Sequence, residues 1–159
     1  PEIECRKWYD YQFQRYKNDK GGMNALIEKK SGKLVGHCGL LVQTIDEITE
    51  LEIGYSLLKK FWNKGYATEA AQAAVQFGLI TCRLKELVAF TVPANTRSIG
   101  VMRRLGMHYS ASDNFDHPKL RPGHPLQHHV LYRLAAAEWK ETHCALSTPQ
   151  GDERDDYSF

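Results

Sequence analysis

The run Trp62-Asn63-Lys64-Gly65-Tyr66-Ala67-Thr68 stands where an extended pattern gives way to a helical one, a junction suited to holding an anion. A strand that runs out near Leu58, followed by a helix that starts just past Gly65, aims several unpaired backbone N–H groups at one spot. The positive end of the helix dipole lies behind them. Phosphate binds well to such a junction. Gly65 permits positive φ and close approach of a ligand. Ala67 is small for the same reason, Thr68 offers a hydroxyl, and Lys59, Lys60 and Lys64 bring positive charge. The plain alternative is an ordinary strand-to-helix turn. Neither Gly-Lys-Ser/Thr nor GxGxxG is present, so the common nucleotide loops do not apply.

A second chemical feature precedes this junction. Leu51, Ile53, Tyr55 and Leu57 alternate with Glu50, Glu52, Gly54 and Ser56, giving a strand with one apolar face and one face carrying carboxylates. A carboxylate so placed is either a proton acceptor or a solvated or ion-paired side chain. Downstream, Asn95 follows Pro93 at the mouth of a helix, where its side chain suits an N-cap. His117, His124, His128 and His129 cluster among proline turns, but their spacing fits no zinc pattern and no cysteine accompanies them. His37 is either a proton relay or a packed histidine.

Elements must position these groups. Trp8, Tyr9, Phe13 and Tyr16 share most of one helical face within Glu2–Tyr16. Strands are expected over Asn24–Glu28, Leu34–Val42 and Ile48–Leu57, the first two as a hairpin about Lys30-Ser31-Gly32-Lys33. A helix is expected from Ala67 to Ile80, with small residues at Ala67, Ala70, Ala71 and Ala74 allowing close approach to a sheet. A strand over Glu86–Val92, a helix from Asn95 to Leu105 ended by Gly106, and a strand over Met107–Ser112 follow. After a loop over His117–Gln127 come a strand over His129–Leu134 and a short helix through Trp139. The strand–helix–strand unit over residues 48–92 is expected as a right-handed crossover, making its two strands parallel.

The 159 residues suffice for one domain with a core, and the 42% apolar and 25% charged shares are those of an ordinary globule. A net charge of +2 gives no reason to expect nucleic acid or an anionic membrane as partner. No apolar run nears the ~20 residues of a membrane helix. Cys5, Cys38, Cys82 and Cys144 form no CxxC pair and read as inert thiols of a cytoplasmic protein.

The runs LEIGYSLLKKFWNKGYATEA and FTVPANTRSIGVMRRLGM together resemble the GNAT superfamily of N-acetyltransferases. Within it the likeness is to the Rim-type branch, which acetylates the N-termini of ribosomal proteins. It covers about residues 24–135. The family's phosphate loop reads [RQ]xxGx[GA]; Gly65 and Ala67 match it, whereas Trp62 replaces the Arg or Gln. The resemblance implies an α/β class with an α+β mixed sheet. This is the GNAT acyl-CoA N-acyltransferase fold, a mostly antiparallel sheet whose fourth and fifth strands run parallel and splay apart, flanked by helices. It implies acetyl-CoA as co-substrate and no metal. Trp62, Asn63, Lys64, Gly65, Tyr66, Ala67 and Thr68 would hold the pyrophosphate, with Arg97, Arg103 and Arg104 near the 3′-phosphate or merely solvated. The backbone from Tyr55 through Ser56 to Leu57, together with Asn95, would hold the pantetheine.

The reaction implied is direct attack of an amine on the thioester in a ternary complex. Glu52 is the expected base, with Glu50 in reserve, and Ser98 the expected donor to the leaving thiolate. Many members carry a Tyr one turn past that Ser; here Met102 stands there. The acceptor is a protein N-terminus or a small amine, with the histidine loop on its side, in a monomer or homodimer. The rival reading is a non-catalytic acyl-CoA-binding module. Residues 1–146 are expected as one domain lacking the family's usual first strand and helix, and residues 147–159 as a polar tail.

Overall fold

The computed structural model describes residues 21–45 and 47–144, together with Lys7, Asp10, Tyr11 and Gln14. The aromatic face expected within Glu2–Tyr16 and the polar tail lie outside the described residues.

Strand β1 (Gly21–Ile27) and strand β2 (Leu34–Ile45) form the expected hairpin, with Ala25 opposite His37. Glu28 N donates to Lys33 O at 2.9 Å across the turn. β1 begins at Gly21 rather than Asn24 because Gly21 and Gly22 continue the ladder opposite Leu41 and Leu40. Glycines carry no side chain to reveal such a register. A Cβ at Gly39 would collide with the Gly22 carbonyl, so the two strands can pair this closely only with glycine there. Strand β3 (Ile48–Leu57) lies antiparallel to β2 and matches its expected bounds.

Helix α1 (Tyr66–Gln76) follows the Gly65 turn and widens into a looser turn over Phe77–Thr81. The expected helix to Ile80 therefore ends early in regular form. The widened turn leaves Phe77 exposed and buries Gly78 and Leu79. Strand β4 (Glu86–Thr91) returns parallel to β3 with one registered pair, Glu52 opposite Val88. Helix α2 (Thr96–Arg104) ends at Gly106, which holds φ 78°, the left-handed value that glycine tolerates.

The expected strand over Met107–Ser112 shrinks to β5 (His108–Tyr109). The physical reason is limited edge. Strand β7 (His128–Ala135) offers Arg133 and Tyr132 to β5, and its other end pairs with strand β6 (Phe115–Asp116) through Phe115 opposite His129. Helix α3 (Ala136–Cys144) closes the described chain. Among the described residues the sheet has seven strands and runs β1-β2-β3-β4-β7-β5, with β6 beside β7. This is the mixed α/β sheet expected, largely antiparallel, with its two parallel strands at the centre.

Period-two alternation gives the sheet two distinct faces. On the helix face, Ile53, Leu87, Ala89 and Leu134 pack with Ala71, Val75 and Leu79, with Val101, Met102 and Leu105, and with Trp139. Each fully buried large side chain there contributes about 1.5–3 kcal/mol. On the opposite face, Val88 and Leu131 pack with Ile45 and Phe115.

Candidate functional site

Where β3 and β4 part, a cavity of about 830 Å³ opens between β3, the Gly65 turn and the first turns of α1 and α2. The turn has the backbone that an anion site requires. Gly65 holds φ 83° and Asn63 holds φ 60°, and α1 begins without a side-chain cap on its leading amides. A Cβ at Gly65 would meet no protein atom within 4 Å, so the space there is open to a ligand.

Tyr55, Ser56, Leu57, Trp62, Asn63, Gly65, Tyr66, Ala67, Thr68, Asn95 and Ser98 all line this cavity. Lys64 does not; its ammonium sits over the Phe61 ring, 5.4 Å from the centroid. Trp62 Nε1 donates to Leu57 O at 2.8 Å, fixing the turn to the end of β3. The Arg97 guanidinium lies 4.7 Å from the Trp62 ring centre, a cation–π pair that joins the turn to α2. Arg104 Nη1 donates to Thr68 Oγ1 at 3.3 Å, a second tie between the helices. Tyr66 donates to Glu28, linking α1 to the hairpin turn.

The wall opposite the turn is polar. Ser98 N donates to Asn95 Oδ1 at 3.3 Å, the expected N-cap, and Asn95 Nδ2 donates to Thr91 Oγ1 at 3.0 Å. An amide nitrogen carries two hydrogens, so Asn95 retains one for a ligand. The Tyr55 hydroxyl reaches Ser98 O at 3.1 Å and Ser98 Oγ at 3.0 Å. Burial pushes the Tyr55 phenol up to about 12, partly offset by its bond to Ser98. Met102 is 1% exposed and belongs to the helix-face core.

Glu52 does not line the cavity. It alternates with Ile53 and so stands on the opposite face of β3, where Gln43 Nε2 donates to its Oε2 at 2.6 Å. Glu50, the reserve base, is ion-paired: Arg133 Nη2 lies 2.8 Å from its Oε1. Arg133 also holds Glu86 and Asp113, each at 2.8 Å. Partial burial opposes the guanidinium charge, but the three carboxylates outweigh it and raise its pKa. Beyond this hub, Phe90 and Phe115 pack edge to face at 5.2 Å, and His117 and His129 lie 5.1 Å apart against them. Burial, with the neighbouring His129 and Lys119, lowers His117 below its ordinary value. Burial lowers His37 in the same direction. Among the described residues, no three or more His, Cys, Asp or Glu side chains are grouped to hold a metal.

From sequence, Tyr55 enters the site only through its backbone, and Arg133 and Gln43 have no part in it. Tyr55 carried a usable signal, a polar tip on the apolar face of a strand. Arg133 and Gln43 carried none, since their partners depend on the register of distant strands.

The family model described as Acetyltransferase (GNAT) domain matches residues 1–108. The uncharacterized protein YkkB of Bacillus subtilis (strain 168) is 36% identical over 110 residues, covering 67% of this chain and 62% of that protein. The uncharacterized N-acetyltransferase p20 of Bacillus licheniformis is 35% identical over 82 residues, covering 51% of this chain and 45% of that protein. This chain thus spans less than two thirds of either relative. A solved GNAT-family acetyltransferase from Bacillus anthracis superposes with a TM-score of 0.68 at 27% identity, covering 87% of this chain and 76% of that one.

Proposed function

The chain belongs to the acetyltransferase (GNAT) family, and we propose that it transfers an acetyl group from acetyl-CoA to a primary amine by direct attack in a ternary complex. One observation carries this reading. The uncapped start of α1 at Gly65 and the Asn95–Ser98 wall bound a single cavity at the place where β3 and β4 part. The turn suits the pyrophosphate, and the spare Asn95 N–H suits a pantetheine carbonyl.

The chemistry divides across the sheet. An ammonium has no lone pair, so a proton must leave before attack. Glu52, on the face away from the helices, takes that proton directly or through water. The amine nitrogen bonds to the acetyl carbon, and a β3 backbone N–H supports the oxyanion. The C–S bond then breaks, its electron pair goes to sulfur, and the Ser98 hydroxyl donates to the thiolate from the helix face. On the amine side, Glu50, Glu86 and Asp113 share one guanidinium. That balance favours a cationic acceptor, either a protein N-terminus as in the Rim-type branch or a small amine.

Thiol release from acetyl-CoA, followed with N-terminal peptides and small amines, tests the proposal. Glu52→Gln and Ser98→Ala are each expected to lower kcat more than tenfold, about 1.4 kcal/mol of barrier, with acetyl-CoA binding retained. Smaller losses in both refute these residue roles. Binding without thiol release across the panel makes the chain an acyl-CoA-binding module instead.

A further inference from the structure

Tyr55 projects from the helix face of β3, and its hydroxyl crosses the cavity wall to α2, where two oxygens of one residue lie within reach. Ser98 O is 3.1 Å away and Ser98 Oγ is 3.0 Å away. A phenol has one hydrogen to give, and a backbone carbonyl can only accept. Two arrangements therefore compete. In one, Tyr55 donates to Ser98 O while the serine O–H points back at the phenol oxygen, leaving no hydrogen for the cavity. In the other, Tyr55 donates to Ser98 Oγ and the serine O–H is free to point into the cavity. Rotation of two hydroxyl groups interconverts them with no movement of the backbone.

We propose that Tyr55 is a positioning residue for Ser98, and that its donation to Ser98 Oγ directs the serine O–H onto the sulfur of coenzyme A as the thioester breaks. The proposal rests on the reading of Ser98 as donor to the leaving group. Negative charge appearing on sulfur attracts the serine hydrogen, and the phenol hydrogen then turns to Ser98 Oγ. An oxygen that accepts one hydrogen bond donates a second one more strongly, so the pair acts as a chain.

No proton is transferred outright. The electron pair of the broken C–S bond stays on sulfur, Ser98 and Tyr55 keep their hydrogens, and the proton lost by the amine leaves on the other face of the sheet. The burial that raises the Tyr55 phenol keeps it protonated at any working pH, as a pure donor must be. The second half of the geometry is the tether on Ser98 itself, whose N–H is held by Asn95, in turn held by Thr91 at the end of β4. Tyr55 and Thr91 thus fix Ser98 from both of the parted strands. Met102, one turn further along α2, is buried in the core and offers no hydrogen, so the phenol enters from the strand.

The test needs no acceptor. Coenzyme A is bound to the intact protein, with calorimetry to verify saturation, and its thiol is titrated by the ultraviolet absorbance of the thiolate. The same is done for Tyr55→Phe, Ser98→Ala and the double variant, each verified as folded by its melting temperature. The bound thiol is expected to titrate about one pH unit below free coenzyme A, a tenfold change in the thiolate ratio. Each single variant should return it most of the way, and the double variant should add nothing to Ser98→Ala. A Tyr55→Phe titration equal to that of the parent protein overturns the chain while leaving Ser98 as donor. An unchanged Ser98→Ala titration overturns both. Additive shifts in the double variant also overturn it, because Tyr55 would then act independently of Ser98. Absence of coenzyme A binding by the parent protein removes the cavity reading and this proposal together.

Discussion

Glu50 and Glu52 lie two residues apart on one face of β3, yet they have different surroundings. Glu50 is bound to a guanidinium that also serves Glu86 and Asp113. That ion pair ties its side chain to β7 and, through the shared guanidinium, to Glu86 and Asp113. Glu52 has instead the neutral amide of Gln43 on one oxygen. That contact holds the carboxylate of the proposed base in place. His117 shows a different residue-scale effect. Partial burial, then the charges of His129 and Lys119, lower it below 6.5. The folded state therefore binds this proton less readily than the unfolded chain. The contribution to stability is complete above the ordinary histidine value and is lost as pH falls through the lowered one. His117→Phe keeps a ring beside Phe90 and Phe115 and removes the titration. Melting temperatures measured from neutral pH down to about 5 should fall less steeply for that variant than for the parent. Parallel curves would exclude His117 as a source of acid sensitivity.

At the scale of elements, Arg133 is the joint that ties β7 to β3, to β4 and to the segment before β6. It stands opposite Val88, which stands opposite Glu52, so the hub fixes the row that carries the proposed base. Arg133→Met leaves three carboxylates facing one another. Breaking a fully buried pair costs about 3–5 kcal/mol, and the partial exposure here reduces that to about 2 kcal/mol. Urea unfolding at neutral pH should show this loss, and the deficit should shrink as pH falls into the carboxylate range, because protonation removes the repulsion. A deficit independent of pH would point to lost packing instead. Much of this scaffold was readable beforehand. The alternation from Glu50 to Leu57 marked β3, and Asn95 and Gly106 bracketed α2, because each depends on neighbours close in sequence. The parallel pairing of β3 and β4 followed from the handedness of crossovers. What could not be read depends on distance. Tyr55 meets Ser98 across 43 residues, and Arg133 meets Glu86 across 47. Two-residue strands such as β5 and β6 are too short to show a period.

Over the whole molecule, the sheet separates two surroundings. Its helix face carries the larger core and, at the mouth between α1 and α2, the cavity with its uncapped helix start. Its other face carries the carboxylates, the smaller aromatic core and the two histidines. The proposed reaction is placed where β3 and β4 part, beyond their registered pair Glu52–Val88. In the proposed reaction the Gly65 turn is the anchor that holds the pyrophosphate of coenzyme A, with Ser98 lining the same cavity. The most direct test is calorimetric titration of coenzyme A into the parent protein and into Gly65→Ala. A methyl group at Gly65 meets no protein atom but would stand in the approach proposed for the ligand, and its φ of 83° adds strain of about 1–2 kcal/mol. The parent protein is expected to bind coenzyme A, and the folded variant to bind it at least tenfold more weakly. No binding by the parent, or equal affinity in the variant, would contradict the assignment of this turn as the coenzyme A cradle.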